Sequence, residues 1–254
     1  MKIPIKELCS KGTSKWFSQL FGVVGDAIYP RICPVCGALS DRPDRHLCWN
    51  CFSRIDLLKS GLCTLCGNPL TGEPESVFIC QSCRQRKPAF DRARSAARFS
   101  GVMRDMLHSF KYGNALWLKK DLADIMFGAL MAGFEYTLID VVIPVPLFRT
   151  RFRERSYNQA LVLASALAAL IDRRMDGRSL KRIRGTGTQT KFNSAQRRRN
   201  IAGAFKVVRP EWIRGRTVLL VDDVMTTGAT LSECSRELKR AGAHQVFAIS
   251  VARR

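Results

Sequence analysis

Acidic residues are scarce: 21 Asp and Glu stand against 42 Lys and Arg, a net charge of +21 over 254 residues. Only three histidines occur, and no Ser/His/Asp arrangement or obvious general base stands out. The GxxxxGK[S/T] loop of P-loop nucleotidases is missing. Gly185-Thr-Gly187 lacks the third glycine and the preceding strand of a dinucleotide fingerprint. No apolar run approaches the ~18 residues that cross a bilayer, which argues against an integral membrane protein. An apolar content of 46% argues against disorder for most of the chain.

What is present is unevenly placed. Residues 147–216 hold 18 basic and 4 acidic residues, so most of the excess charge is internal rather than a basic tail. Eight of the ten cysteines lie between positions 33 and 83, with Cys9 and Cys234 apart. The composition shifts near Pro88. This predicts two units, an N-terminal helix plus cysteine module over 1–90 and an α/β domain over 91–254.

Lys2, Lys6, Lys11 and Lys15 precede an apolar stretch in which Trp16, Phe17, Leu20, Phe21, Val24 and Ile28 recur at helical spacing. Gln19 and Asp26 interrupt it, and no small-residue cleavage site follows. The pattern reads as an amphipathic helix docking on the body, ahead of a signal peptide or a peripheral membrane contact. A cytoplasmic protein is expected.

Four CxxC pairs follow: Cys33/Cys36, Cys48/Cys51, Cys63/Cys66 and Cys80/Cys83, separated by 11, 11 and 13 residues. A two-residue gap turns both thiolates toward one ion, and Zn²⁺ favours four sulfurs in a tetrahedron. Gly37 and Gly67 directly follow two pairs, where a knuckle needs positive φ. A disulfide framework would require an oxidising compartment, and iron–sulfur ligation fits the spacing less well. Eight ligands predict two structural zinc sites, paired either sequentially or as an interleaved cross-brace. His46, two residues before Cys48, is an alternative ligand. A module this small has little core, so metal binding supplies folding free energy. Cys234 falls on an apolar helix face with Leu231 and Leu238 and reads as a buried small hydrophobe. His108 and His244 read as structural or surface residues.

Beyond residue 90, strands are expected at Ala93–Phe99, Ile139–Pro146, Thr217–Asp223 and Gln245–Val251. Helices are expected at Met103–Lys111, Leu116–Met131, Ser156–Ile171 and Thr230–Arg240. Alternation with continuous apolar strands implies a parallel sheet covered on both faces. The decisive segment is Val218-Leu-Leu-Val-Asp-Asp-Val-Met-Thr-Thr-Gly-Ala-Thr-Leu231. Two acids close a buried strand, and a Thr/Gly loop opens a helix whose N-terminus suits phosphate. Adjacent carboxylates fit vicinal hydroxyls or a metal-bound sugar. The combination suggests a ribose phosphate.

Val218–Leu231 resembles the PRPP-binding motif of type I phosphoribosyltransferases (PRPP, phosphoribosyl pyrophosphate). Further segments are similar to the ComF competence proteins, which join a CxxC zinc module to such a domain. These are Phe110-Lys-Tyr-Gly113, Ile143–Leu147 with Arg151–Gln159, Arg182–Thr186 with Thr188-Gln189, and Arg197–Phe205. At Ser156-Tyr157 the family more often has Gly-Phe. The resemblance implies a type I phosphoribosyltransferase fold and, as activity, pentosyl transfer. It places Asp222 and Asp223 on the ribose hydroxyls. It places Thr226, Thr227, Gly228, Ala229 and Thr230 around the 5′-phosphate. Val145, Pro146 and Leu147 would contact pyrophosphate with Mg²⁺ bridging. Arg184, Gln189 and Arg197 lie on a basic loop that would close over the site, and with the two acids Arg184 and Arg197 are the catalytic candidates. The hood over the acceptor would be the zinc module or loop 181–200.

Three functions remain open on sequence. The first is a competence factor acting on incoming single-stranded DNA with PRPP as ligand or substrate. Its nucleic-acid candidates are Arg149, Arg151, Arg153, Arg155, Arg198 and Arg199, with Phe148, Phe152, Tyr157 and Phe192 interleaved for stacking. The second is a small-molecule transferase of salvage metabolism. The third is a non-catalytic PRPP-sensing adaptor linking a competence helicase or channel component to DNA.

Overall fold

The computed structural model describes residues 30–70, 77–148, 156–185 and 194–254. The helix expected over 16–28 lies outside the described residues, as do Arg149, Arg151, Arg153, Arg155, Phe152, Gln189 and Phe192 and the side chains of Arg197 and Arg198.

Two short helices, α1 (Trp49–Ser53) and α2 (Gln81–Gln85), each begin on the first cysteine of a CxxC pair. The body then runs β1 (Arg92–Arg98), α3 (Gly101–Tyr112), α4 (Lys119–Gly133), β2 (Val141–Pro144), α5 (Gln159–Leu170) and β3 (Arg174–Met175). It continues with β4 (Leu180–Arg182), α6 (Ser194–Ile201), β5 (Phe205–Val207), β6 (Thr217–Met225), α7 (Ala229–Arg240) and β7 (Gln245–Arg253). The sheet order is β1-β7-β6-β2-β3, and every pairing in it is parallel. Val218, Leu219, Leu220 and Val221 are fully buried because both faces of β6 are covered. Each such side chain contributes about 1.5–3 kcal/mol relative to exposure. Leu219 and Val221 join α3, α4 and α5 in one core, while Val218 and Leu220 join α7 and the β5 segment in the other.

Several elements differ from the expected bounds. Residues 116–118 form a 3-10 turn, and the α-helix proper starts at Lys119. The helix expected from Ser156 begins at Gln159, because Ser156 sits in the left-handed region (φ +63°) and Asn158 caps the helix by accepting the Ala160 N–H. A strand does precede Gly185, but β4 pairs antiparallel with β5 outside the main sheet, so no βαβ unit is made there.

The edge strand β1 does not face solvent with free backbone groups. Leu58 N–H bonds Ala96 O, Arg98 N–H bonds Asp56 O, and Ala93 N–H bonds Leu65 O. The segment joining the two cysteine clusters thus seals the edge. The clusters sit on opposite faces, the first with α3 and α4, the second with Phe90, Leu231 and Met225.

Candidate functional site

The chain leaves β2 and β6 in opposite senses. From β2 it passes through α5 to β3, and from β6 through α7 to β7, on the other face. The crevice where the order reverses is the usual ligand position in such sheets. Asp222 and Asp223 stand at the β6 end of it, and Val145–Leu147 leave β2 beside them. Val145 N–H bonds Val221 O at 2.9 Å, and Asn158 Nδ2 donates to Val145 O at 3.2 Å. The expected ribose and pyrophosphate segments are therefore brought together at one edge.

Next in the chain, Gly228 adopts φ +73° directly before α7. A Cβ there would meet the terminal Met225 Cε at 2.6 Å, which a methionine can move to relieve, so it is the backbone conformation that requires glycine. The N-cap Gly228 has no side chain to offer α7, and Thr227 Oγ1 accepts from the Ala229 N–H at 3.4 Å. The Thr226–Thr230 loop runs into the α7 N-terminus, which carries the positive end of the helix dipole. A cup of about 20 Å³ is lined by Asp222, Met225, Thr226, Gly228, Ala229 and Thr230. Asp222 and the phosphate loop thus adjoin one small, polar concavity.

Burial, together with the neighbouring Asp223 charge, pushes the Asp222 carboxyl up to about 7. The Asp223 N–H, 2.9 Å from Asp222 Oδ1, works against this, as do the charges of Lys111 and Arg182. Lys111 Nζ lies 3.0 Å from Asp223 Oδ2, with both side chains 14% exposed. The turn carrying Lys111 is tied to the start of α5, since Tyr157 Oη donates to Phe110 O and its ring meets Phe110 edge-on. That occupies a tyrosine expected to stack on bases. In the sequence, Phe110–Gly113 carries a family resemblance and nothing that assigns Lys111 a role. The signal was a lysine near the end of a helix, which nothing local links to acids 112 residues away. Arg184 is exposed and donates through Nη2 to Asn200 O and Ala202 O, which ties the segment after β4 to the end of α6. Arg199 is exposed on α6. Cys234 is fully buried, and His108 and His244 are exposed.

The eight clustered cysteines form two groups, Cys33/Cys36/Cys48/Cys51 and Cys63/Cys66/Cys80/Cys83. Pairing is sequential, and the interleaved alternative is overturned. His46 belongs to neither group; its ring lies against Trp117. In each group the four sulfurs lie within 4.8 Å of one another. A tetrahedron with Zn–S bonds of ~2.3 Å has S···S edges of about 3.8 Å. Cys36–Cys48 and Cys66–Cys80 each measure 3.7 Å between sulfurs. The donor sets fit two four-thiolate zinc sites, which are closed and structural.

Family comparison agrees with this anatomy. A double zinc ribbon domain matches residues 24–84, and a phosphoribosyl transferase domain matches residues 158–254. Competence protein F of Haemophilus influenzae is 29% identical over 220 residues, covering 81% of this chain and 96% of that protein. DNA utilization protein YhgH of Escherichia coli K12 is 28% identical over 214 residues, covering 79% and 93%. Competence protein ComFC of Bacillus subtilis is 26% identical over 237 residues, covering 86% and 92%. The likeness runs through both domains in one order, and not through the transferase half alone. The chain joins a double zinc ribbon to a domain of the type I phosphoribosyltransferase fold, and across both it is similar to the competence proteins F and ComFC.

Proposed function

We propose that this protein binds PRPP with Mg²⁺ and acts on single-stranded DNA taken up by the cell. The carrying observation is that Asp222, next to Asp223 on β6, shares one polar concavity with the Gly228 loop at the α7 N-terminus. In this reading the two carboxylates accept from the ribose hydroxyls. The loop N–H groups and threonine hydroxyls hold the 5′-phosphate. Val145, Pro146 and Leu147 line the pyrophosphate side. Two adjacent carboxylates, one pushed up to about 7, form a site short of cations. Their hard oxygens suit Mg²⁺ arriving with the pyrophosphate, where it would neutralise the leaving group. Lys111 holds Asp223 in place and balances part of the pair's charge. The relatives' names carry the DNA part of the reading.

The test is thermal denaturation with PRPP and Mg²⁺. The wild type gains stability with ligand concentration, as any ligand binding only the folded state requires. Asp222→Ala/Asp223→Ala gains none. Equal gains in both proteins would put the site elsewhere.

A further inference from the structure

The phosphate loop has a second open side. Thr226, Gly228 and Ala229 line the small cup over Asp222, and the same residues line a cleft of about 530 Å³. The far wall of this cleft is the second half of the zinc ribbon, and α6 and α7 form the side. Five cations line it: Arg86, Lys87, Arg199, Arg236 and Arg253. Glu233, the one acid lining it among the described residues, is already engaged by Arg236 and by the Gly203 N–H. Arg253 is spent on the ribbon, bonding Asn68 Oδ1 at 3.0 Å and Cys66 O at 2.8 Å. Arg86, Lys87 and Arg199 are exposed, and their side chains meet no hydrogen-bond or ion-pair partner among the described residues. Three uncompensated cations around one concavity repel each other until an anion enters.

Geometry narrows the anion. A cup closed behind the loop would accept only a terminal phosphate. Here the phosphate position is open toward a large basic cleft, so a phosphodiester fits, with its chain running into the cleft. On a nucleotide the 5′-phosphodiester leads to the preceding residue of the strand. Phe90 lines the cleft but is only 3% exposed, so no stacking platform is offered and recognition is through backbone charge. We propose that the cleft holds the sugar–phosphate backbone of a single nucleic-acid strand, with the 3′-terminal nucleotide's sugar at Asp222 and Asp223 and its 5′-phosphate on the loop. This placement rests on the ribose phosphate reading above. It makes PRPP and a strand 3′ end alternative occupants of one site.

The experiment uses the zinc-loaded full chain and a 5′-fluorescein oligothymidylate of roughly a dozen nucleotides with a free 3′-hydroxyl, followed by anisotropy across a salt series. In Arg86→Gln/Lys87→Gln/Arg199→Gln, affinity falls about tenfold or more at low salt, and the slope of log K against log salt flattens by about 2, at ~0.7 per lost phosphate contact. Calorimetric affinity for PRPP·Mg²⁺ stays within about twofold of the wild type, since these side chains lie beyond the cup. Saturating PRPP displaces the oligonucleotide. A 3′-phosphorylated oligonucleotide and thymidine 5′-monophosphate both bind at least about tenfold more weakly, the first lacking the hydroxyl and the second the backbone. Unchanged oligonucleotide affinity in the triple variant, or oligonucleotide that stays bound at saturating PRPP, overturns the proposal. A wild type that binds no PRPP in calorimetry instead overturns the ribose phosphate reading, so the two failures are distinct.

Discussion

In the first half of the ribbon Gly37 follows its CxxC pair at φ +74°, and in the second Gly67 does so at +66°. Gly37 N–H returns to Cys33 O as Gly67 N–H returns to Cys63 O. Burial works to raise the Cys33 and Cys63 thiols, yet several backbone N–H groups outweigh it and bring each down to about 7. The local chemistry is thus the same. The docking is not. The first knuckle offers cations and N–H groups to acids on α4. Buried Asp121 accepts from His46 N–H, Leu47 N–H and Arg42, and Arg45 pairs with Asp124. The second knuckle offers carbonyls to cations on the sheet. Arg94 donates to Cys63 O and Thr64 O, and Arg253 to Cys66 O. One half is an anchor remote from the phosphate loop, while the other is a wall of the cleft beside it. A repeated metal knuckle has been put to two uses by what the body presents to it.

The strongest way to break this comparison is to remove one metal at a time. Cys33→Ser/Cys36→Ser and Cys63→Ser/Cys66→Ser should each reduce bound zinc from two ions to one by elemental analysis. Structural zinc contributes on the order of 10 kcal/mol of local folding free energy, so each half should become protease-sensitive when its ion is lost. Only the second pair should also lower oligonucleotide affinity. Equal losses from both would erase the distinction between anchor and wall.

A smaller effect is expected from the anchor itself. Asp121→Ala leaves Arg42 and two N–H groups without their acceptor in a buried setting. The cost should be about 3 kcal/mol by denaturant titration, with PRPP binding unchanged. Burial raises the Asp121 carboxyl above its usual range, so the folded state favours its protonated form, and the loss should be largest at low pH and shrink as pH rises toward neutral.

Asp222 sharpens the contrast between scaffold and site. Its folded value near 7 exceeds the unfolded value near ~3.9. The folded state therefore binds the extra proton, and Asp222 costs stability progressively as pH rises through that window. Asp222→Asn should raise the melting temperature at pH 8, with the gain shrinking toward pH 4, while PRPP binding is lost. A substitution that stabilises and disables together marks a group held for function rather than for the fold. A lower melting temperature at pH 8 would contradict it. The smallest effect concerns Ser156, held at φ +63°. Ser156→Gly should change stability by less than about 1 kcal/mol, since relief of strain is offset by the freer unfolded chain.

How much of this could be read in advance depends on how local each signal was. The β6–loop–α7 unit was legible because four buried aliphatics, two acids and a Thr/Gly loop are contiguous. The zinc ligands were legible because a CxxC pair converges within four residues. Which pairs share an ion was not, since gaps of 11, 11 and 13 residues allow either pairing. The β4–β5 ribbon escaped notice because Leu180–Arg182 and Phe205–Val207 are three residues each and carry exposed lysines. Lys111 escaped because its partner is fixed only by the packing of α3 against the sheet. The cleft escaped for the same reason, its cations coming from the ribbon's end, α6, α7 and β7.

The most direct test is a crystal structure of the zinc-loaded protein with PRPP and Mg²⁺. The account predicts the 5′-phosphate within hydrogen-bonding distance of the N–H groups of the Thr227–Thr230 loop and the ribose hydroxyls on Asp222 and Asp223. Ligand bound away from β6, or no ligand at saturating concentration, would contradict it.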